Sequence, residues 1–302
     1  MPSLKDLKNR IASVKSTRKI TSAMKMVAAS KLRRAQDLAE SSRPYTGFMN
    51  RMMTNVVASI EVTGASSPLL IGNGKKETVL LVVMTSDRGL CGAFNGSIIR
   101  ETRRQIAEME KAGQKVKLVC VGRRARDLLR REHGDKFLYT VESSGGTGKK
   151  AIDIEDARSL AAKLVEFFET NQCDVVRLLF NKFHSAISQV VTLSQIIPFV
   201  EDIEQPVKPT TESEEEFLET ELFEPTEDTL VQELLARNIV TQVYAALLES
   251  SAGEQGARMT AMDNATRNAG DMIDRLTLNY NRSRQACITN ELIEIISGAE
   301  AV

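Results

Sequence analysis

Apolar residues recur at helical spacing at both ends of the chain and in unbroken runs of strand length between them. Near the N-terminus, Leu4, Leu7, Ile11 and Val14 follow the alternating three- and four-residue step of a coiled-coil seam. The same register then meets Arg18, Thr21 and Lys25. The apolar residues continue beside it as Ile20, Met24 and Val27, then Leu32, Ala35 and Leu38. The stripe therefore drifts around the helix, and no single partner helix covers all of it. Ser3, with Asp6 three positions on, is a good N-terminal cap. No proline falls between Ser3 and Arg43, so the pattern predicts one helix over 1–58, roughly 80 Å long at about 1.5 Å per residue. A helix of that length needs a partner to stabilise it.

The other end reads the same way. Pro225-Thr226-Glu227-Asp228 is a helix start, and Leu230, Leu234, Val240, Val243, Tyr244, Leu247 and Leu248 follow at helical spacing. The run continues through Met259, Met262, Ile273, Leu276, Leu278, Ile288, Leu292, Ile295 and Ile296 without a further proline. From Ile293 to Val302 the only charges are Glu294 and Glu300. A bare apolar tip is costly in water, so it either packs on its own domain or is sheathed by partner subunits.

Between the ends the period changes. Thr78–Met84 is continuous apolar sequence, as a strand buried on both faces requires. Further strands are predicted at 116–121, 136–141, 175–180 and 190–197, with helices at about 96–111, 122–132 and 153–170. Strand–helix alternation predicts a mainly parallel layered sheet, and the last two strands, with no helix between them, suit an antiparallel edge. The expected fold is thus α/β: a Rossmann-like layered sheet domain between two long terminal helices that pair as an antiparallel coiled coil. The expected division is a helix at 1–58, a linker at 59–76, the sheet domain at 77–200, an acidic loop at 201–228 and a helix at 229–302.

Charge adds a second contrast. The chain is formally neutral, yet residues 1–43 hold eleven Lys or Arg against three acids, a net of +8. Residues 201–228 hold twelve acids and one base, Lys208. The basic helix fits a solvated face, a nucleic-acid-binding helix or a helix facing an acidic protein surface. Aromatic residues interleaved with the basic ones are missing before Tyr45, which counts against the second of these. No run of about 18 apolar residues is long enough to span a membrane, and no signal sequence is expected before the first helix.

Candidate chemistry is sparse. Gly145–Lys150 has the look of a phosphate loop, but Ser143 stands where glycine is needed and Lys150 where a hydroxyl would hold Mg²⁺. His133 and His184 lie in different elements, and Cys91, Cys120, Cys173 and Cys287 show no metal-ligand or disulfide spacing. No metal and no cofactor is expected. The turn Ser86–Asn95 follows the first strand, where α/β proteins place sites, and offers Asp87, Arg88 and Cys91 but no evident base for the thiol. Asn95 there is positioned to cap the helix that follows.

Three segments carry a resemblance. Ile20–Lys31 (ITSAMKMVAASK), Ser86–Asn95 (SDRGLCGAFN) and Ile288–Ala299 (ITNELIEIISGA) resemble signatures of the gamma-subunit family of F-type ATP synthases, bacterial type. Arg258-Met259, Ala261-Met262 and the stretch from Tyr280 to Ala286 match as well, so the resemblance runs through essentially the whole chain in order. It implies a non-catalytic central rotor stalk. The paired helices would enter the hexamer of alternating alpha and beta subunits, one gamma for three of each. The sheet domain would lie nearer the membrane with the epsilon subunit and the c-ring that carries protons. The chain would be peripheral, on the cytoplasmic face of the bacterial inner membrane.

By the same resemblance Met24, Lys25, Arg284, Gln285, Thr289, Glu291 and Glu294 are candidate rotor–stator contacts, and Glu224 is a candidate carrier-ring contact. Two departures stand out. Gly253 and Gly256 fall inside the final helix, where each glycine costs up to about 1 kcal/mol against alanine, so helix continuity is expected to weaken there. The acidic block is expected to be an extension of the pattern, and without a close cysteine pair no thiol switch is expected. The alternatives are a basic coiled-coil nucleic-acid-binding protein and an α/β enzyme using the Asp87–Cys91 turn.

Overall fold

The computed structural model describes residues 3–59, 67–142, 152–186, 188–199 and 227–300. The chain divides into two compact units: Met1–Ser30 with Arg258–Val302, and Lys31–Ala257. Helices α1 (Leu4–Ser59) and α6 (Glu227–Glu300) each contribute to both. The Pro225-Thr226 start signal and most of the acidic block lie outside the described residues.

In the larger unit, a one-turn helix α2 (Pro68–Ile71) leads to β1 (Thr78–Met84). There follow α3 (Phe94–Lys111), β2 (Lys115–Val121), α4 (Arg123–His133), β3 (Phe137–Val141), α5 (Ile154–Glu169), β4 (Val175–Phe183) and β5 (Gln189–Ile197). The strand order is β3-β2-β1-β4-β5. The first four strands are mutually parallel, and β5 pairs antiparallel with β4. The sheet and its antiparallel edge are thus as the apolar runs predict.

Alternation along β1 sets the layers. Val79, Leu81 and Val83 face a core built with Phe94, Ile98 and Ile106 of α3 and Ala125 and Leu129 of α4. Leu80, Val82 and Met84 face the other core, built with Leu160, Leu164 and Phe168 of α5 and with Ile239, Val243, Ala246 and Leu247 of α6. The terminal helix is therefore part of the sheet's own hydrophobic core. Asp153 caps α5 through a reciprocal pair with Asp156. Asp174 fixes the start of β1, accepting from the Asn73 amide at 2.6 Å and from the backbone N–H groups of Glu77 and Thr78. At Gly122 (φ +95°) a Cβ would meet the Thr85 carbonyl oxygen at 2.3 Å, so only glycine fits that turn.

Both helices run antiparallel within this unit, with Arg43 opposite Glu249 and Met53 clustered with Leu235. The covered positions of α1 are Leu32, Ala35, Ala39, Met49 and Met53. Pro44 sits inside α1, and the helix continues to Ser59.

Continuity of α6 departs from expectation. It stays helical through Gly253 and Gly256, because both glycines sit where other elements press closest. A Cβ on Gly253 would lie 3.3 Å from the Phe94 ring, and one on Gly256 would lie 3.2 Å from the Ala186 Cα. The backbone freedom that glycine loses is exchanged for close approach, which tertiary contact readily makes worthwhile.

The smaller unit contains the two helix ends. Ser3 and Asp6 cap α1 reciprocally: the Ser3 hydroxyl accepts from Asp6 N–H and the Asp6 carboxylate accepts from Ser3 N–H. Leu4, Leu7, Ile11 and Val14 are covered or half-covered, as the seam predicts. Beyond Val14 the register meets Arg18, which is exposed, and cover resumes with Thr21 and Lys25, half-buried, and Ala28, buried; on α6 Met262, Ala269 and Ile273 are buried. The drifting apolar residues Ile20 and Val27 are left 57% exposed.

The glycines yield a direct test. Gly256→Leu is expected to destabilise the chain by about 1–3 kcal/mol through overpacking. A Cβ on Gly270 meets nothing within 4 Å, so Gly270→Ala is expected to stabilise α6 by up to about 1 kcal/mol. Thermal melting of the two variants checks the opposite signs.

Candidate functional site

The turn after β1 is a closed polar cluster. Ser86 is fully buried; its backbone N–H donates to Asn95 Oδ1 at 3.0 Å, and Asn95 Nδ2 donates to Ser86 Oγ at 2.7 Å and Cys91 Sγ at 3.1 Å. Asn95 lies inside α3 and does not cap it. Ala93 holds the N-cap position, where its methyl group can make no capping bond, and the Asn95 amide pins Ser86 instead. Asp87 Oδ1 accepts from the backbone N–H of Arg123, which ties the turn to the start of α4. Around Cys91 the polar neighbours are an amide, a hydroxyl and the Arg88 carbonyl, and none of them is a base able to activate a thiol. The cluster builds a rigid strand-to-helix turn, with Leu90 held at φ +65° and its side chain in solvent. Burial pushes the Cys120 and Cys173 thiols up to about 12, so both are inert packing groups.

Two of the candidate contacts on α1 lie in the smaller unit. Met24 is half-buried beside Lys25, whose ammonium meets Asp263 of α6 at 2.6 Å. Asp263 also receives Arg267 one turn on, at 2.7 Å. The Thr21 and Thr266 hydroxyls lie 2.8 Å apart across the same pair of helices. Polar residues thus fill the seam where the apolar stripe leaves it. Asp263 was not singled out from the sequence. Lys25 at a seam position is the one signal that a polar partner on the opposing helix could be sought, but the sequence does not say which acid supplies it.

Further along α6, Arg284, Gln285, Thr289 and Glu291 are exposed. Thr289 Oγ1 donates to the Gln285 carbonyl, and Cys287 Sγ lies 3.4 Å from Glu291 Oε1. Asp274, Thr277, Leu278, Asn281, Arg282 and Gln285 line an open trough of about 440 Å³. Leu278, Ile288, Leu292, Ile293, Ile295 and Ile296 are all exposed, Leu278 and Ile295 by 67%. The Glu294 side chain and the whole of Glu224 lie outside the described residues, as does the Gly145–Lys150 segment. Among the described residues, no cluster of three or more His, Cys, Asp or Glu is placed to hold a metal, and no helix is long and apolar enough to cross a membrane.

This geometry defines a class: two long helices paired antiparallel, one of them built into the core of a doubly wound sheet. The family model described as ATP synthase matches residues 3–302. The ATP synthase gamma chains of Rhodospirillum rubrum and Paracoccus denitrificans are 52% and 51% identical to the chain, each match covering all of both chains. A central stalk/c-ring structure of the Tetrahymena thermophila mitochondrial ATP synthase is 28% identical, with TM-score 0.59, covering 82% of this chain and 99% of that one. A chain of the Euglena gracilis mitochondrial ATP synthase shares the fold at TM-score 0.66 and 21% identity, covering 99% of this chain and 94% of that one. The chain belongs to the ATP synthase gamma chain family. None of these matches supports the nucleic-acid-binding alternative.

The Lys25–Asp263 pair has a pH signature. The hydrogen bond from Lys25, and then the Arg267 and Lys25 charges, hold the Asp263 carboxyl below its ordinary value against the opposing effect of burial. A carboxyl lowered in the folded state contributes stability above its unfolded value of about 3.9 and loses it as pH falls through the folded value. Asp263→Asn is therefore expected to lower the melting temperature at pH 7, with the difference from wild type closing below about pH 4. A difference that stays constant down to pH 3 would contradict the assignment.

Proposed function

We propose that this chain is the central rotor stalk of a proton-translocating F-type ATP synthase. It passes torque between the carrier ring of the membrane sector and the catalytic hexamer of alternating alpha and beta subunits, one copy for three of each. The chain itself is non-catalytic. Its asymmetric turning carries the beta sites in succession through their open, loose and tight states, and hydrolysis drives the same motion backward. The epsilon subunit joins it at the sheet domain, and the chain is peripheral on the cytoplasmic face of the membrane.

The observation that carries this reading is the end-to-end match to gamma chains at about half identity. The exposed leucines and isoleucines near the end of α6 support it, since a helix that leaves so much apolar surface in water needs a surrounding partner. The net +8 of the first 43 residues suits acidic loops of the beta subunits. Part of it is answered within the chain, Lys25 by Asp263 and Arg43 by Glu249. On this reading Met24, Lys25, Arg284, Gln285, Thr289, Glu291 and Glu294 face the stator and Glu224 faces the carrier ring.

Co-expression with the alpha and beta subunits of a close relative tests this, with and without residues 290–302. The full chain is expected to co-purify as a complex whose ATPase activity depends on it, and the truncation is expected to reduce assembly or activity. A chain that remains apart from alpha and beta, where a relative's gamma chain assembles, would overturn the reading.

A further inference from the structure

The larger unit contains one polar junction that joins three elements. Arg43 of α1 meets Glu249 of α6 through Nη2 at 3.0 Å and Nε at 3.3 Å. The other carboxylate oxygen of Glu249 accepts the backbone N–H of Phe183, the last residue of β4, at 2.7 Å. Arg43 Nη2 also lies 3.4 Å from the Phe183 carbonyl oxygen. The two side chains therefore close on both polar groups of a single β4 residue. The Glu249 side chain is only 13% exposed, so both its carboxylate oxygens are held by these partners rather than lying open to water. Two turns along the same face of α6, a Cβ on Gly256 would lie 3.4 Å from the Phe183 ring. The end of β4 is thus seated on α6 at two points, by its main chain and by its ring.

What makes the junction matter is the scarcity of other directional ties on α1. Its covered positions in this unit are Leu32, Ala35, Ala39, Met49 and Met53, whose contacts are non-directional and resist separation more than sliding or rotation. Ser41, Ser42 and Thr46 donate only to carbonyls of α1 itself. Among the described residues, Arg43 is the α1 side chain that makes a polar tie from this unit's part of α1 to another element. A forked guanidinium on a carboxylate fixes orientation as well as distance.

We propose that Arg43 and Glu249, closed on the main chain of Phe183, are positioning residues for torque transfer. They lock α1, α6 and the end of β4 in register, so that a twist applied to the sheet passes into both helices together. This rests on the rotor reading above. Loss of the lock leaves the helices packed but lets the sheet twist against α1 under load, so free-running hydrolysis survives better than work against a gradient.

The test uses the assembled complex in sealed membrane vesicles with Arg43→Gln, Arg43→Lys, Glu249→Gln and the Arg43→Gln/Glu249→Gln pair. ATP hydrolysis, ATP-driven proton pumping and thermal inactivation are measured on the same preparations. Each single variant is expected to lower pumping per ATP hydrolysed by about threefold or more, the scale of coupling between contacting residues, with the double variant little worse than either. Arg43→Lys, which keeps the charge but loses the fork, is expected to fall between wild type and Arg43→Gln. A merely structural role would reduce the amount of complex and its heat resistance while leaving the ratio of pumping to hydrolysis unchanged, and that result would overturn the proposal. Additive single and double effects would overturn it as well. Failure of the rotor reading is distinguishable, because the wild-type chain would then support neither activity.

Discussion

A strand that is apolar on both faces must be covered on both faces, and this constraint at β1 organises the larger unit. Val79, Leu81 and Val83 are met by α3 and α4, while Leu80, Val82 and Met84 are met by α5 and α6. With roughly 25 cal/mol for each Å² of apolar surface removed from water, this burial is the dominant favourable term in holding the sheet and α6 together. A long helix could otherwise lie against a domain by its end or by a few side chains. Here Ile239, Val243, Ala246 and Leu247 sit inside the core, and Gly253 and Gly256 bring the backbone close to Phe94 and Ala186. Detaching α6 would uncover the part of that sheet face that α5 leaves open.

The helix seam in the smaller unit follows a different logic. A two-helix contact can cover only one narrow stripe of each partner, and apolar residues off that stripe stay in water. The register kept by the structure runs through Thr21 and Lys25, which the partner answers with Thr266 and Asp263. The apolar side chains of Ile20, Met26 and Val27 on α1, and those from Leu278 to Ile296 on α6, are left outward. Stability within the pair and surface for a partner are thereby assigned to different faces of the same helices. That division suits a chain that must hold its own shape while a larger assembly works around it.

Much of the fold is legible in the sequence because its signals are periodic. The continuous run Thr78–Met84, the strand–helix alternation after it and the helical spacing of apolar residues at both ends each point to one element, and the observed elements follow. What the sequence hides is pairwise. Gly253 and Gly256 look like helix weaknesses until Phe94 and Ala186 are seen beside them. Asn95 looks like a cap, but its amide is taken by Ser86 and Cys91. Asp263, Arg43 and Glu249 are ordinary charged residues in sequence, and they gain roles only when antiparallel pairing brings positions more than 200 residues apart into contact. The candidate contacts Met24, Lys25, Arg284, Gln285, Thr289 and Glu291 come from motif resemblance. Arg284, Gln285, Thr289 and Glu291 are exposed, whereas Met24 and Lys25 are half-buried, with Lys25 paired to Asp263.

Direct observation of motion tests the central claim most closely. The chain would be assembled with alpha and beta subunits fixed to a surface, with a visible probe attached through an engineered cysteine on the sheet domain, and ATP would be supplied. Continued rotation of the probe in one direction, stopping when ATP is removed, is the expected result. ATP hydrolysis by the same complexes with a stationary or randomly fluctuating probe would contradict the account.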